Sequence, residues 1–188
     1  PKSEKSSTLR VVDMKSGPYI QMTIHTLKQF GVTIENDANV FRIPGKQHYQ
    51  AADYFVEADW SSASYWLVAA AIGHSVVVSG LNMRSMQADK ALLKALMSAG
   101  CKLSMGEDTI RVDGSNLQAF EFDAEDCPDL FPALVVLASK CNGITKIHGA
   151  KRLIHKESDR GIALQQEFGK MVCASTNNSL KSGYRVEK

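Results

Sequence analysis

The run His155-Lys156-Glu157-Ser158-Asp159-Arg160 places two bases and two acids within six positions and opens a helical pattern of Ile162, Leu164 and Phe168. Lys156 and Arg160 are four apart, so on a helix they share one face with Glu157 beside them. Two cations in a first helical turn oppose the positive end of the aligned peptide dipoles. Either Glu157 and Asp159 neutralise them in a solvated helix start, or free N–H groups, Lys156 and Arg160 converge on a phosphate or carboxylate.

Other polar starts precede apolar runs. Asp126-Cys127-Pro128-Asp129 has the grammar of a helix N-terminus, with proline in the first turn and Asp offsetting the dipole. Asp59-Trp60-Ser61-Ser62 supplies N-cap candidates and a hydroxyl-rich turn. Ser16 and Tyr19 read equally as a cap and a half-buried aromatic. Met86 and Met97, on apolar faces, read as core filler, and Cys101 and Cys141 as core residues with no basic partner to activate them.

These groups must be positioned by ordinary globular elements. The 188 residues are 44% hydrophobic and 22% charged, enough for one medium domain or two small ones. A net charge of +2 without a long basic run gives no footprint for nucleic acid or anionic membrane, so any anion site is local. The four cysteines lack C-x-x-C spacing and the five histidines form no H-E-x-x-H pair, which points to reduced thiols in the cytoplasm and no metal. No apolar run is long enough to cross a bilayer, and residues 1–10 lack the apolar segment of a signal peptide. Residues 1–7, Pro-Lys-Ser-Glu-Lys-Ser-Ser, read as a frayed or cloning-derived end, and the absence of an initial Met as a piece of something longer.

From residue 19 to 30 the apolar side chains of Ile20, Ile24, Leu27 and Phe30 fall at helical spacing, and Gly31 stops the pattern. Val32-Thr33-Ile34 and Val40-Phe41-Arg42-Ile43 then read as a hairpin around residues 35–39. The same order returns with Leu92, Leu93, Leu96 and Met97, then Gly100, then strands 101–103 and 109–112 around Gly106-Glu107-Asp108. A third version has Leu164, Phe168 and Met171, a strand at 172–174, a turn at 176–181 and a strand at 184–186. Between them lie two alternate segments, a small-residue helix with Ala63 and Ala69 before strand 75–78, and Leu134, Val135 and Leu137 before strand 144–147. Gly31 and Gly100 are 69 residues apart, as are Gly80 and Gly149. A period near seventy exceeds those of solenoids and propellers, so each copy is a whole α/β (α+β) layer of helix, strand, helix and hairpin. Equivalent layers packed about a common axis bring their helix N-termini to one end, an anion-binding floor.

Taken together, Val56-Glu57-Ala58-Asp59-Trp60-Ser61-Ser62-Ala63-Ser64-Tyr65, Ser85-Met86-Gln87-Ala88-Asp89, Asp126-Cys127-Pro128-Asp129 and Lys156-Glu157-Ser158-Asp159-Arg160, in this order, resemble the 5-enolpyruvylshikimate-3-phosphate (EPSP) synthases. Ser16-Gly17-Pro18-Tyr19-Ile20 is similar to that family's serine/tyrosine segment, and the match runs from about Ser16 to Met171. The resemblance implies a two-lobed pseudo-threefold fold with a cleft between the lobes. It makes residues 1–57 a remnant of the first lobe and 58–188 part of the second. It further implies transfer of enolpyruvyl from phosphoenolpyruvate to the 5-hydroxyl of shikimate 3-phosphate, without a cofactor, by an enzyme that is monomeric when full length. By position Asp129 becomes the base for the hydroxyl and Glu157 the acid/base at the methylene. Lys156, Ser16 and Tyr19 hold shikimate 3-phosphate, Arg160 binds phosphoenolpyruvate, and Arg152 stands where some members carry an asparagine facing the shikimate ligand.

There are departures. The family's N-terminal Lys-Ser contact, Gly-rich anion loop and later Arg and Lys segments are not in this chain, so the polypeptide alone is expected to be inactive. Gly17 replaces a residue often basic, and Val172 stands where a glycine is expected. The alternative is a non-catalytic anion-binding or interaction module that retains the fold.

Overall fold

The computed structural model describes residues 2–74, 76–155, 158–174 and 182–186. The chain forms two compact units, one of Pro1–Glu57 with Met86–Ala88 and one of Ala58–Ser85 with Asp89–Lys188. No helix among the described residues is long and apolar enough to cross a membrane.

In unit 1, β1 (Ser7–Arg10) is followed by α1 (Gly17–Gln29) and the hairpin of β2 (Glu35–Asp37) and β3 (Val40–Ile43). The sheet order is β1-β3-β2, both pairings antiparallel. Helix α1 closes with two hydrogen bonds, Gly31 N–H to the Lys28 carbonyl at 3.1 Å and Val32 N–H to that of Leu27 at 3.0 Å. Gly31 takes φ +78°, the left-handed cap that a side chain resists. Two readings change here. The expected fraying of residues 1–7 is overturned at Ser3, whose carbonyl accepts from Lys46 N–H at 2.7 Å, and at Ser7, which opens β1 opposite Ile43 of β3. The hairpin also begins three residues later than its apolar pattern suggests. Val32 is buried beneath the cap, and both backbone groups of Thr33 are taken by the Gln47 side-chain amide, at 2.7 and 3.0 Å. With those groups engaged, pairing starts at Glu35, and the turn tightens to Ala38-Asn39 with Ala38 at φ +48°.

Unit 2 begins with α2 (Trp60–Ala71) and β4 (Val77–Ser79), then α3 (Leu92–Ser98) and the hairpin β5 (Lys102–Met105) and β6 (Thr109–Asp113). Its first sheet has the order β4-β6-β5, again antiparallel throughout. Helix α3 ends as α1 does, with Gly100 N–H on the Met97 carbonyl, Cys101 N–H on that of Leu96, and Gly100 at φ +90°. Next come β7 (Glu121–Asp123), α4 (Phe131–Ala138), β8 (Gly143–His148), α5 (Arg160–Ala174) and β9 (Ser182–Val186). These three strands run parallel in the order β7-β8-β9.

The core of unit 2 lies where α2 meets β6, α3 and α4. Trp60, Leu67, Leu92, Leu96, Phe131 and Leu134 are fully buried there. Alanines 63, 70 and 71 on α2 are buried as well, and small side chains let helices approach closely. The third version of the layer departs from expectation. Residues 172–174 continue α5 rather than form a strand, since Val172, a β-branched residue, disfavours the left-handed closure that Gly31 and Gly100 provide. Its turn lies outside the described residues. Met86 and Met97 are surface residues, 42% and 55% exposed, not core filler. Met97 sits on the outer side of α3, whose apolar face is already filled by Leu92, Leu93 and Leu96.

Candidate active site

Polar contacts join helix starts of unit 2 in two pairs, α2 with α3 and α4 with α5. Asp59 caps α2, accepting from the backbone N–H groups of Ser61 and Ser62 at 3.0 Å each and from the Ser62 hydroxyl at 2.6 Å. Burial alone would raise its carboxyl, but those donors outweigh burial and hold it below the ordinary aspartate range. The adjacent Ser61 hydroxyl donates to the carboxylate of Asp89, which is fully buried in the 3-10 turn Ala88–Ala91 leading into α3. The loop before that turn is pinned by Lys90, whose ammonium donates to the carbonyls of Met83 and Ser85 at 3.1 and 2.9 Å. The indole N–H of Trp60 donates to the Asn82 carbonyl at 3.3 Å.

Helix α4 is entered through a 3-10 turn, Pro128–Leu130, which carries Asp129. Beside it, Gly149 at φ +91° brings the backbone so close to Glu125 that a Cβ would lie 2.7 Å from its nitrogen. That approach fixes the start of the turn Ala150–His155, where Arg152 N–H donates to the Gly149 carbonyl at 3.0 Å. The helix that follows starts at Arg160, later than its sequence pattern suggests, because Asp159 is its cap. The Asp159 carboxylate accepts from Ile162 N–H at 3.1 Å and its carbonyl from Ala163 N–H.

Asp159 thus caps the helix that Arg160 opens. The Arg160 guanidinium reaches across to α4, where Nη1 donates to Asp129 Oδ1 at 2.7 Å, with both side chains about one-third exposed. Cys127 reports the same clustering. Burial first, then the charges of Asp89, Asp126, Asp123 and Asp129, push its thiol up to about 12. One sulfur thus senses carboxylates from the starts of both α3 and α4. Such a thiol is inert as a nucleophile at neutral pH. Cys101 and Cys141, also buried, are each raised to about 11, mainly by burial.

Of the residues singled out in the sequence, Asp129 and Arg160 are brought into contact and Arg152 lies on the turn leading to Arg160. Lys156 and Glu157 lie outside the described residues. Ser16 and Tyr19 belong to unit 1, where Ser16 precedes α1 at φ +55° and its hydroxyl makes no capping bond. Sequence reasoning missed the Ser61–Asp89 pair. Its signal was present in a second aspartate starting a helix, but spacing does not show that the carboxylate is buried.

Two solved enolpyruvyl transferases share this architecture. EPSP synthase from Acinetobacter baumannii superposes with a TM-score of 0.66 at 24% identity, covering 87% of this chain and 39% of that one. The enolpyruvyl transferase NikO from Streptomyces tendae gives 0.58 at 18% identity over 74% of this chain and 34% of its own. At these identities the likeness establishes the fold. The family profile of EPSP synthase (3-phosphoshikimate 1-carboxyvinyltransferase) matches residues 2–181, and the chain belongs to that family. Among its relatives are 3-phosphoshikimate 1-carboxyvinyltransferases of Methanothrix thermoacetophila, 40% identical over 91% of this chain, and Methanosarcina mazei, 41% identical over 91%. The chain spans 41% and 42% of the length of those two relatives.

Proposed function

We propose that this chain carries part of the catalytic machinery of a 3-phosphoshikimate 1-carboxyvinyltransferase. Its substrates are shikimate 3-phosphate and phosphoenolpyruvate, and its products EPSP and phosphate. The observation that carries this reading is the meeting of Asp129 and Arg160 among gathered helix starts, in a chain of this family. An oxygen that must lose a proton and a substrate that brings phosphate and carboxylate need such a pairing of base and guanidinium.

In the first step the 5-hydroxyl oxygen of shikimate 3-phosphate bonds to C2 of phosphoenolpyruvate. Asp129 takes the hydroxyl proton and Glu157 delivers one to C3, giving a tetrahedral adduct. In the second, a proton leaves C3 to Glu157, the C2–C3 double bond re-forms, and the C2–O bond to phosphate breaks. Arg160 orients phosphoenolpyruvate through its planar fork, Lys156 neutralises shikimate 3-phosphate, and Arg152 faces the shikimate ligand. Ser16 and Tyr19 are the shikimate 3-phosphate contacts assigned to unit 1. Free buried thiols at Cys101, Cys127 and Cys141 fit the reducing cytoplasm.

A chimera tests this reading: the 188 residues replace the aligned segment of the Methanosarcina mazei synthase, and phosphate release is followed. The chain alone gives no turnover, the chimera does, and Asp129→Ala lowers its rate by about 10²–10⁴-fold. A folded chimera without turnover, or one indifferent to Asp129→Ala, contradicts it.

A further inference from the structure

We propose that the step Asn142-Gly143 is a self-modification site, at which the chain loses ammonia through a cyclic imide and ages to aspartate or isoaspartate. Among the asparagines of the sequence, Asn142 alone is followed by glycine. The Gly143 backbone nitrogen attacks Cγ of Asn142 and forms a new C–N bond. The bond from Cγ to the amide nitrogen breaks, and ammonia leaves with the proton that Gly143 gives up. Water then opens the imide. Cleavage at the side-chain carbonyl leaves aspartate, and cleavage at the backbone carbonyl leaves isoaspartate, with an extra methylene in the main chain. Glycine suits the first step because it sets no side chain beside the attacking nitrogen, and Gly143, at φ +103°, holds a conformation that other residues resist.

The fold singles this amide out. Asn142 is exposed and lines an open trough of about 430 Å³ beyond the end of α4. Its side-chain amide makes no hydrogen bond among the described residues, so nothing there holds it away from Gly143. Asn116 lines the same trough but is tethered, its Oδ1 accepting from Gln118 Nε2 at 2.9 Å, and the buried Leu117 follows it. Asn82 Oδ1 likewise accepts from Arg84 N–H at 2.9 Å. The backbone of Asn142 ties the chain after α4 to the segment beside it. Its N–H donates to the Leu117 carbonyl and its carbonyl accepts from Ala119 N–H, both at 2.9 Å. An isoaspartate lengthens the main chain between those bonds and β8, which opens on Gly143, and either product adds a negative charge just past the negative end of α4. Ageing therefore loosens the α4–β8 connection, at the end of the helix away from Asp129.

The test is peptide mapping by mass spectrometry of the full chain, incubated at mildly alkaline pH both folded and unfolded in urea. The peptide carrying residue 142 is expected to gain the mass of an amide-to-acid exchange and to separate into aspartate and isoaspartate forms. In the folded chain this should run within about tenfold of the unfolded rate, because an exposed segment opens at little cost. Asn116 and Asn82 should keep their amides in the folded chain over the same interval. Asn142→Gln, checked as folded by far-UV circular dichroism, should stop the change at that position, since the larger ring of a glutamine closes far more slowly. A folded wild type that reacts at residue 142 more than about tenfold slower than the unfolded chain, or no faster there than at Asn116, overturns the proposal.

Discussion

The layer β1-α1-β2-β3 and the layer β4-α3-β5-β6 have one topology and different interiors. In each, a strand, a helix and a hairpin make an antiparallel sheet with the last strand central, and each helix ends on a left-handed glycine with the same two hydrogen bonds. Yet α1 buries none of its residues fully, whereas α3 buries Leu92, Leu93, Ala95 and Leu96. In unit 2 the helices α2 and α4 complete the core, while in unit 1 an apolar groove of about 270 Å³ between α1 and its sheet, lined by Leu9, Ile20, Ile24, Phe41 and Ile43, stays open. Local sequence grammar thus shapes a layer, and neighbouring helices decide how much apolar area it removes from water.

Equivalent positions test that separation. The carbonyls of Leu96 and Leu27 accept the equivalent hydrogen bond in the same type of cap, but Leu96 is fully buried and Leu27 only half so. Leu96→Ala is expected to cost about 3 kcal/mol in urea unfolding and Leu27→Ala about 1 kcal/mol. Equal losses would break the comparison.

The glycine caps sharpen it from the other side, because their cost is local. Gly100→Ala and Gly31→Ala should each destabilise by about 1–2 kcal/mol, since each forces a side chain into a left-handed conformation, once the Gln50 side chain, 2.9 Å from a Cβ at Gly31, has swung aside. A large disparity would mean that the caps are not equivalent.

A smaller effect is expected at Asp59, which has no capping counterpart at the start of α1. Asp59→Ala should cost about 1 kcal/mol near neutral pH. Because the folded carboxyl is held below its ordinary value, the contribution is present above that value and fades as pH falls through the lower folded one. Stability curves of wild type and variant should converge in acid. A constant gap would remove the capping explanation.

Much of this was legible because it was local. Glycines 31 and 100 announced their caps, Asp59 its helix, and the Asp126–Asp129 segment the entry to α4. What stayed hidden depended on partners distant in sequence. Strand β2 slips because an amide fourteen residues away, on Gln47, occupies Thr33. The polar Ser7–Arg10 becomes a strand because β3 offers it a ladder. Arg160 reads as neutralised by neighbours three positions or fewer away, and it also pairs with a carboxylate 31 positions back, on the entry to another helix. The site residues themselves were assigned by resemblance of whole motifs, since Lys, Glu and Arg at helical spacing suit a solvated surface equally well.

The most direct test of the central claim, that this chain holds a preformed part of a shikimate 3-phosphate site, is the melting temperature of the chain with millimolar shikimate 3-phosphate. A ligand at ten times its Kd adds about 1.4 kcal/mol, or a rise of about 3–5 °C for a chain of this size. We expect that rise in the wild type and its loss in Lys156→Ala. No rise at millimolar ligand, or one that survives Lys156→Ala, would contradict the account.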